Sequence, residues 1–352
     1  MKKLLIAALL LFFSTNFIAC SEETIPPDFS LIPVKIDDKW GYINQKGELV
    51  ISPIYDEADF FHNGFALVSY GKTKGYIGKD NSFKILLASS TKATAFSEGL
   101  AFVVAKGENI TCIDTTGAVQ FVLNDLNYAE PFSDGLAVVG VFNDSTPVKK
   151  GFIDQKGKIV ITPQYRDVEG FSDGMAAFKQ GEYWGFIDRN GQTIVKPQYT
   201  SVESFQEGIA VVRTLNKSAL IDKQGKVQLE LKNSYIAAFS EGLASVNLKG
   251  YINLKGKMVI EGDYYRLEPF HSGRAVIWSA TDSKFNYINR RGKELFEDVF
   301  QEVTPFYGNI AFVKTEKLWS CIDEKGKYLA QNAFTEVKLD FNKDIIFKSK
   351  HK

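Results

Sequence analysis

Apolar and polar positions alternate along this chain in short runs, and the runs return at a fixed interval. Ala66 and Val68, Ala137 and Val139, Ala210 and Val212, and Ala275 and Ile277 sit two apart. The position after each pair is Ser69, Gly140, Arg213 or Trp278. A period of two gives a strand one buried face and one wet face. Each run follows a Phe-x-x-Gly unit, first seen as Phe61 to Gly64. Its glycine recurs at Gly99, Gly135, Gly174, Gly208, Gly242 and Gly273, and more loosely at Phe306-Tyr307-Gly308. A worn copy stands at Phe341-Asn342-Lys343-Asp344.

A second unit keeps the same phase. Trp40-Gly41-Tyr42-Ile43-Asn44 runs into Gln45-Lys46-Gly47, and later copies centre on Ile77, Ile113, Ile153, Ile187, Ile221, Ile252, Ile288 and Ile322. The nine copies repeat about every 35 residues. A fixed period of roughly 20–50 residues marks solenoids, propellers or arrays. In Asp154-Gln155-Lys156-Gly157 and its equivalents the Asp or Asn side chain accepts a turn amide, and Gly closes the turn at positive φ. Such a turn joins two antiparallel strands. Asn81 stands where Gly is expected and is the next best residue for that backbone region. On the returning strand Pro163, like Pro53 and Pro197, lacks the N–H a ladder needs, so pairing is expected to end there. The pattern predicts an all-β protein with about three short strands per repeat, and the Phe of Phe-x-x-Gly as the plug between neighbours. The strand-like segment Ser30–Lys35 duplicates Asp344–Phe347. Duplicated rather than complementary ends favour an open, twisted array over a propeller-like toroid, which is the alternative.

These residues resemble the WG-repeat family, named for the Trp-Gly of the second unit. The likeness runs from about residue 29 to the C-terminus. Trp-Gly itself survives only at Trp40-Gly41 and Trp184-Gly185, while Gly75, Gly151 and Gly250 keep the glycine alone. The resemblance implies a bacterial repeat, often in envelope or secreted proteins, with no catalytic residues in common.

The N-terminus changes the picture. Lys2 and Lys3 precede an apolar run from Leu4 to Phe13, too short to span a bilayer and flanked like a signal peptide. Phe17-Ile18-Ala19-Cys20 resembles the lipobox of bacterial lipoproteins, whose Cys is lipidated and becomes the new N-terminus. Ser21 after it resembles outer-membrane sorting, and Glu22-Glu23 the acidic tag of surface-exported lipoproteins. Residues 1–19 are thus read as a lipoprotein signal peptide, 20–28 as a tether stiffened by Pro26-Pro27, and 29–352 as the array. The expected address is the bacterial cell envelope, at the outer membrane and exposed at its surface, with membrane contact through the anchor on Cys20 alone.

Charge excludes little else. Forty-two basic residues balance forty-two acidic ones, which argues against nucleic acid as a partner. Cys112 and Cys321 share one repeat position, where other copies have Tyr or Phe, and read as small buried hydrophobes without a disulfide. His62 and His271 fall in turns and His351 in the tail. No metal-ligand spacing, catalytic motif or cofactor signature appears, so neither enzyme activity nor a cofactor is expected. Glu98, Asp134, Asp173, Glu207 and Glu241 precede the Gly of five successive Phe-x-x-Gly turns. Stacking would align them in an acidic column, with Lys46, Lys156, Lys255, Arg291 and Lys325 in a partly basic column elsewhere. Both read as solvated turn residues, with steering of a charged partner as the sharper reading.

Two places break the repeat. The connection from Val139 to Gly151 is long and contains Asn143 and Asp144. Trp278 puts a large aromatic where most copies are polar, in a segment that includes Asp282. Insertions in repeat arrays gather on one face, often the binding face, so these four are the candidate binding residues. The chain reads as a non-enzymatic, lipid-anchored envelope protein presenting a β-repeat surface to an envelope protein. A glycan-binding lipoprotein using Trp278 is the alternative, and an envelope glycan hydrolase the second.

Overall fold

The computed structural model describes residues 27–143, 146–281, 284–298, 300–338 and 346–347. The signal segment, Cys20, most of the tether, Asp144, Asp282 and His351 lie outside the described residues. Among those described none is helical, and no helix is long and apolar enough to cross a membrane. The chain forms nine small antiparallel sheets, numbered here 1 to 9 in chain order.

Six of the nine sheets are meanders of four strands, one more than the repeat pattern predicts; sheet 4 has a fifth strand, and sheets 7 and 8 have three. Sheet 2 is the plain case: Glu57–Ala58, Ala66–Tyr70, Thr73–Ile77 and Phe83–Ala88 pair in that order. The first strand is only two residues long in most sheets, too short to show as a periodic run. The second and third strands are largely buried, whereas the fourth exposes residues such as Leu49, Val50, Ile159 and Val160 and forms the rim.

The sheets close into a ring, which corrects the expectation of an open array. Leu31–Ile36, Lys39–Asn44 and Leu49–Tyr55 give sheet 1 its second to fourth strands, and Glu336–Val337 from the other end of the chain supplies the first. Val34 pairs with Val337 and Lys35 with Glu336, the register of Val68 with Ala58 and Ser69 with Glu57 in sheet 2. Ile32, Val34 and Ile43 share one core cluster with Ile310, Phe312 and Trp319 of sheet 9. The duplicated C-terminal strand, Ile346–Phe347, finds its place in sheet 1 taken and pairs instead with Tyr128–Ser133 of sheet 4.

Stacked aromatics hold sheet to sheet. Phe61, Phe171, Phe205 and Phe270 are fully buried. Each meets the aromatic before Ile-Asp/Asn in the preceding sheet: Tyr42 at 5.1 Å, Phe152 at 4.7 Å, Phe186 at 4.8 Å and Tyr251 at 4.9 Å between ring centres. Where that residue is Tyr, its hydroxyl donates to a backbone carbonyl of the next sheet, as Tyr42 does to Asp59 (2.8 Å) and Tyr287 to Thr304 (2.8 Å).

Cys112 and Cys321 are buried free thiols, and each is compensated across the ladder. Cys112 pairs with Phe102 and Cys321 with Phe312, whereas Tyr76 pairs with Leu67 and Phe152 with Val138. A small residue on one strand thus sits beside a large one on the other, keeping the layer volume near constant. Cys112→Tyr is expected to overpack the layer and cost about 1–3 kcal/mol. Adding Phe102→Val should return most of that loss in a thermal melt; two independent penalties would refute the pairing. Burial, and then Asp114, push the Cys112 thiol up to about 12, and burial with Asp323 does the same to Cys321. At pH 8 almost no thiolate forms, so Ellman's reagent should leave both unmodified in the folded chain from Ser21 and label both after unfolding.

The glycine of Trp-Gly has a steric cause. A Cβ on Gly151 or Gly185 would lie 2.3 Å from the carbonyl oxygen of Ile161 or Val195 on the rim strand, and under 3 Å from the nitrogen of Pro163 or Pro197. The prolines do not end the pairing as expected: beyond a bulge, Lys150 pairs with Tyr165 and Trp184 with Tyr199. The bulge takes up the missing N–H and presses the rim strand onto the glycine.

Candidate functional site

The meander puts two sets of connections on each face of the ring. The Phe-x-x-Gly turns (first to second strand) and the Asp-x-x-Gly turns (third to fourth) share one face. The hairpins between second and third strands and the links between sheets share the other. The acidic and basic columns therefore lie on the same face, not on separate edges.

On that first face the acids are structural. Glu98, Asp134, Asp173, Glu207 and Glu241 all have positive φ, near 50–56°, as the first central residue of a tight two-residue hairpin turn requires. Four of the five side chains reach the next sheet. The Gly135 amide donates to Glu98 (3.0 Å), Gly174 to Asp134 (2.6 Å), Gly208 to Asp173 (2.6 Å) and Gly273 to Glu241 (3.0 Å). One position earlier, Ser97, Ser133, Ser172 and Ser240 donate to the carbonyls of Phe132, Phe171, Phe205 and Phe270 at 2.6–2.7 Å. The Asp-x-x-Gly turn of the following sheet closes over the acid: Gln155 donates to Glu98 (2.8 Å) and Lys223 pairs with Asp173 (2.5 Å). At the seam Gln45 donates to the Tyr307 carbonyl (2.9 Å) and accepts from the Asn309 amide (2.7 Å). Lys46, Lys156, Lys255, Arg291 and Lys325 stay exposed.

The opposite face differs. Tyr70, Tyr183, Leu215, Tyr235, Leu248, Tyr265 and Trp278 are all exposed there, Leu215 to 97 %. Trp278 is 37 % exposed. It stacks on its cross-strand partner Phe285 at 5.3 Å and meets Tyr265 edge-on at 5.5 Å. In other sheets the same cross-strand pair is Lys and Trp: Lys35 over Trp40 (5.7 Å), Lys179 over Trp184 (5.9 Å) and Lys314 over Trp319 (5.5 Å). Sheet 8 has exchanged a cation–π pair for an aromatic stack. The long connection of sheet 4 is an extended hairpin, Leu136–Asn143 and Thr146–Asp154. Beneath it a cleft of about 410 Å³ is lined by Tyr128, Phe142, Lys150, Arg166, Asp167 and Lys179. Lys150 lies over Tyr128 at 5.1 Å and pairs with Asp167 at 3.0 Å. The hairpin that carries Asn143 and the segment that carries Trp278 share this face, but they stand four sheets apart in a ring of nine and do not converge.

Sequence reasoning missed the charged residues in or just after the first strands, Glu130 within Tyr128–Ser133 and Glu203 after Ser201–Val202. Glu130 and Glu203 are buried; Glu203 pairs with Arg213 at 2.7 Å, and its second carboxylate oxygen is buried without a hydrogen-bond partner. Burial raises the Glu203 carboxyl above the usual range although Arg213 opposes it. Arg213 also lies over Tyr235 at 4.4 Å and donates to the Ile236 carbonyl. An acid two residues before Phe, as in Glu130-Pro131-Phe132 and Glu203-Ser204-Phe205, was the available signal. Among the described residues no group of three His, Cys, Asp or Glu could hold a metal ion.

Comparison with known proteins decides the family. The WG containing repeat matches residues 40–73, 151–184, 184–217, 220–249, 250–277 and 287–319, more than half of the chain. The chain belongs to the WG-repeat family. Residues 74–150 fall outside these matches; in them the repeat carries Cys112 for an aromatic and the extended hairpin. No curated protein sequence matches this WG-repeat chain. Among solved structures it is similar to the computationally designed Ika8 protein (12 % identity, TM-score 0.46, covering 91 % of this chain and 100 % of that one). It is also similar to BamB from Moraxella catarrhalis (12 %, 0.41, 72 % and 90 %) and to apo AztD from Citrobacter koseri (13 %, 0.40, 85 % and 92 %).

Proposed function

We propose that this WG-repeat ring is a non-enzymatic, lipid-anchored protein of the bacterial cell envelope, and that it binds a protein partner through the face of its second-to-third-strand hairpins. One observation carries the reading: the exposed aromatics and leucines of the connections gather on that face, while the other face uses its turns to lock sheet to sheet. Exposed Tyr and Trp are the residues that interfaces favour, because they bring a large apolar area with a polar tip. The lipobox-like Phe17-Ile18-Ala19-Cys20 supports the anchor and the outer-membrane address.

The test is a cross-linking pull-down from intact cells with the lipidated protein as bait, read by mass spectrometry beside Cys20→Ala. A partner lost both with the anchor and in a folded Leu215→Ser/Tyr265→Ser/Trp278→Ser variant would support the reading. A partner indifferent to the hairpin face would count against it. A second reading, glycan binding, is favoured by the Tyr265–Trp278–Phe285 cluster, since an aromatic platform suits a sugar ring. Polysaccharide binding lost in Trp278→Ala with the fold intact would put it first.

A further inference from the structure

The two faces also differ in which one the N-terminal segment leaves. Asp28 donates its amide to the Phe61 carbonyl at 2.8 Å, beside the Phe-x-x-Gly turn of sheet 2, and its carboxylate pairs with Lys79 of the Asp-x-x-Gly turn of that sheet. The chain therefore enters the ring on the turn face, away from the exposed aromatics. Only residues 21–26 separate Cys20 from Pro27, a reach of at most about 25 Å even fully extended. A lipid on Cys20 would hold this face close to the bilayer.

The same face carries Lys46, Lys156, Lys255, Arg291 and Lys325, spread over sheets 1, 4, 7, 8 and 9. All five are exposed, and among the described residues none makes an ion pair. Acids share the face and keep their negative charge, but most turn it toward donors of this chain. Glu98, Asp134, Asp173 and Glu241 hold neighbouring amides. Asp154, Asp188, Asp222 and Asp323 accept their own turn amides, while Asp80 pairs with Lys84 and Glu324 with Arg274. None of the five cations is held in an ion pair among the described residues, so each can meet an outside anion.

We propose that the turn face is a membrane-docking surface, and that these five cations seat the ring on an anionic lipid bilayer with its hairpin face turned outward. This rests on the anchored reading above and adds the orientation and the lipid chemistry. Basic residues held near an anionic bilayer each strengthen binding about fivefold at moderate salt, and the attraction is screened as salt rises.

The test supplies the anchor chemically, by coupling a maleimide lipid to Cys20 of the chain from Cys20 onward; the other two thiols are buried. Lysine acetylation is then mapped by mass spectrometry on vesicles of phosphatidylcholine with or without phosphatidylglycerol. On anionic vesicles, Lys46, Lys156, Lys255 and Lys325 are expected to lose labelling several-fold, and to regain it in 1 M salt, roughly a 3 Å screening length. Lys72 and Lys249, in hairpins of the other face, should label alike throughout. Exchanging all five cations for Gln should abolish the protection and leave the thermal melt unchanged. Equal labelling of both faces, or protection of Lys72 and Lys249, would overturn the proposal. Protection by a soluble anionic polysaccharide but not by vesicles would assign the face to that polymer instead and also overturn it. Because the lipid is coupled in vitro, these outcomes do not depend on whether cells lipidate Cys20. Absence of lipidation in cells would sink the anchored reading without altering the footprint.

Discussion

Phe171→Ala is expected to destabilise the ring by about 3–5 kcal/mol, the usual cost of truncating a fully buried Phe. Phe171 is fully buried between sheets 4 and 5, packed with Phe152, Ile161, Val168 and Phe178. Its ring meets Phe152 edge-on at 4.7 Å, an arrangement worth something beyond area alone. The backbone there is pinned by the Ser133 hydroxyl on the Phe171 carbonyl at 2.7 Å, so the site cannot collapse easily into the cavity. Phe239 is the comparison. It is 8 % exposed and faces Leu220 rather than an aromatic, so Phe239→Ala should cost less. Urea melts followed by tryptophan fluorescence would check both. Equal losses would mean that the aromatic stack adds nothing.

Val337→Asp should cost at least as much, by opening the ring at its seam. Val337 is buried against Ile32, Val34, Phe60 and Tyr307, and a carboxylate placed there has no cation to meet inside that cluster. Burying an uncompensated charge costs several kcal/mol unless the group protonates or the strand withdraws. Withdrawal leaves sheet 1 with three strands and uncovers the cluster it shares with sheet 9. The prediction bears on topology as well as energy. In a closed ring the amides of Leu31–Ile36 should exchange with solvent as slowly as those of the second strand in sheet 5, and Val337→Asp should make them fast. In an open array they would already be fast, because an end repeat has one neighbour instead of two. A small-angle scattering profile several times longer than wide for the unmodified protein would contradict the closed ring.

Much of this was written in local pattern. The turn chemistry was legible residue by residue: Asn81 adopts the positive φ (62°) that its place in the repeat demands. The Phe of Phe-x-x-Gly is buried in every full copy, and Cys112 and Cys321, at the same repeat position, are buried free thiols. The four-strand sheet was not legible, because a two-residue strand such as Glu57–Ala58 has no period to read. That omission produced the wrong closure. Without a short first strand, nothing in Glu336–Val337 announces that it completes sheet 1, and the duplicated ends then argue for an open array. The prolines misled for a similar reason: a missing N–H ends a ladder only if no bulge follows, and the bulge depends on the glycine across from it.

The candidate site divides along the same line. The sequence marked Trp278 as exceptional, but its stack on Phe285 depends on cross-strand register. Likewise, the sequence aligned five acids, but only the ring shows four of them reaching an amide of the next sheet. By itself, then, the sequence determined the family, the all-β class, the repeat length, the turns and the buried positions, because each follows from backbone preference or alternation over a few neighbouring residues. Only the tertiary structure decided that the ring closes, that acids and bases share one face, and that the exposed aromatics share the other. Those outcomes depend on contacts between residues up to some three hundred positions apart, as Lys35 and Glu336 are, and no local pattern encodes which distant strand will fill a place left open.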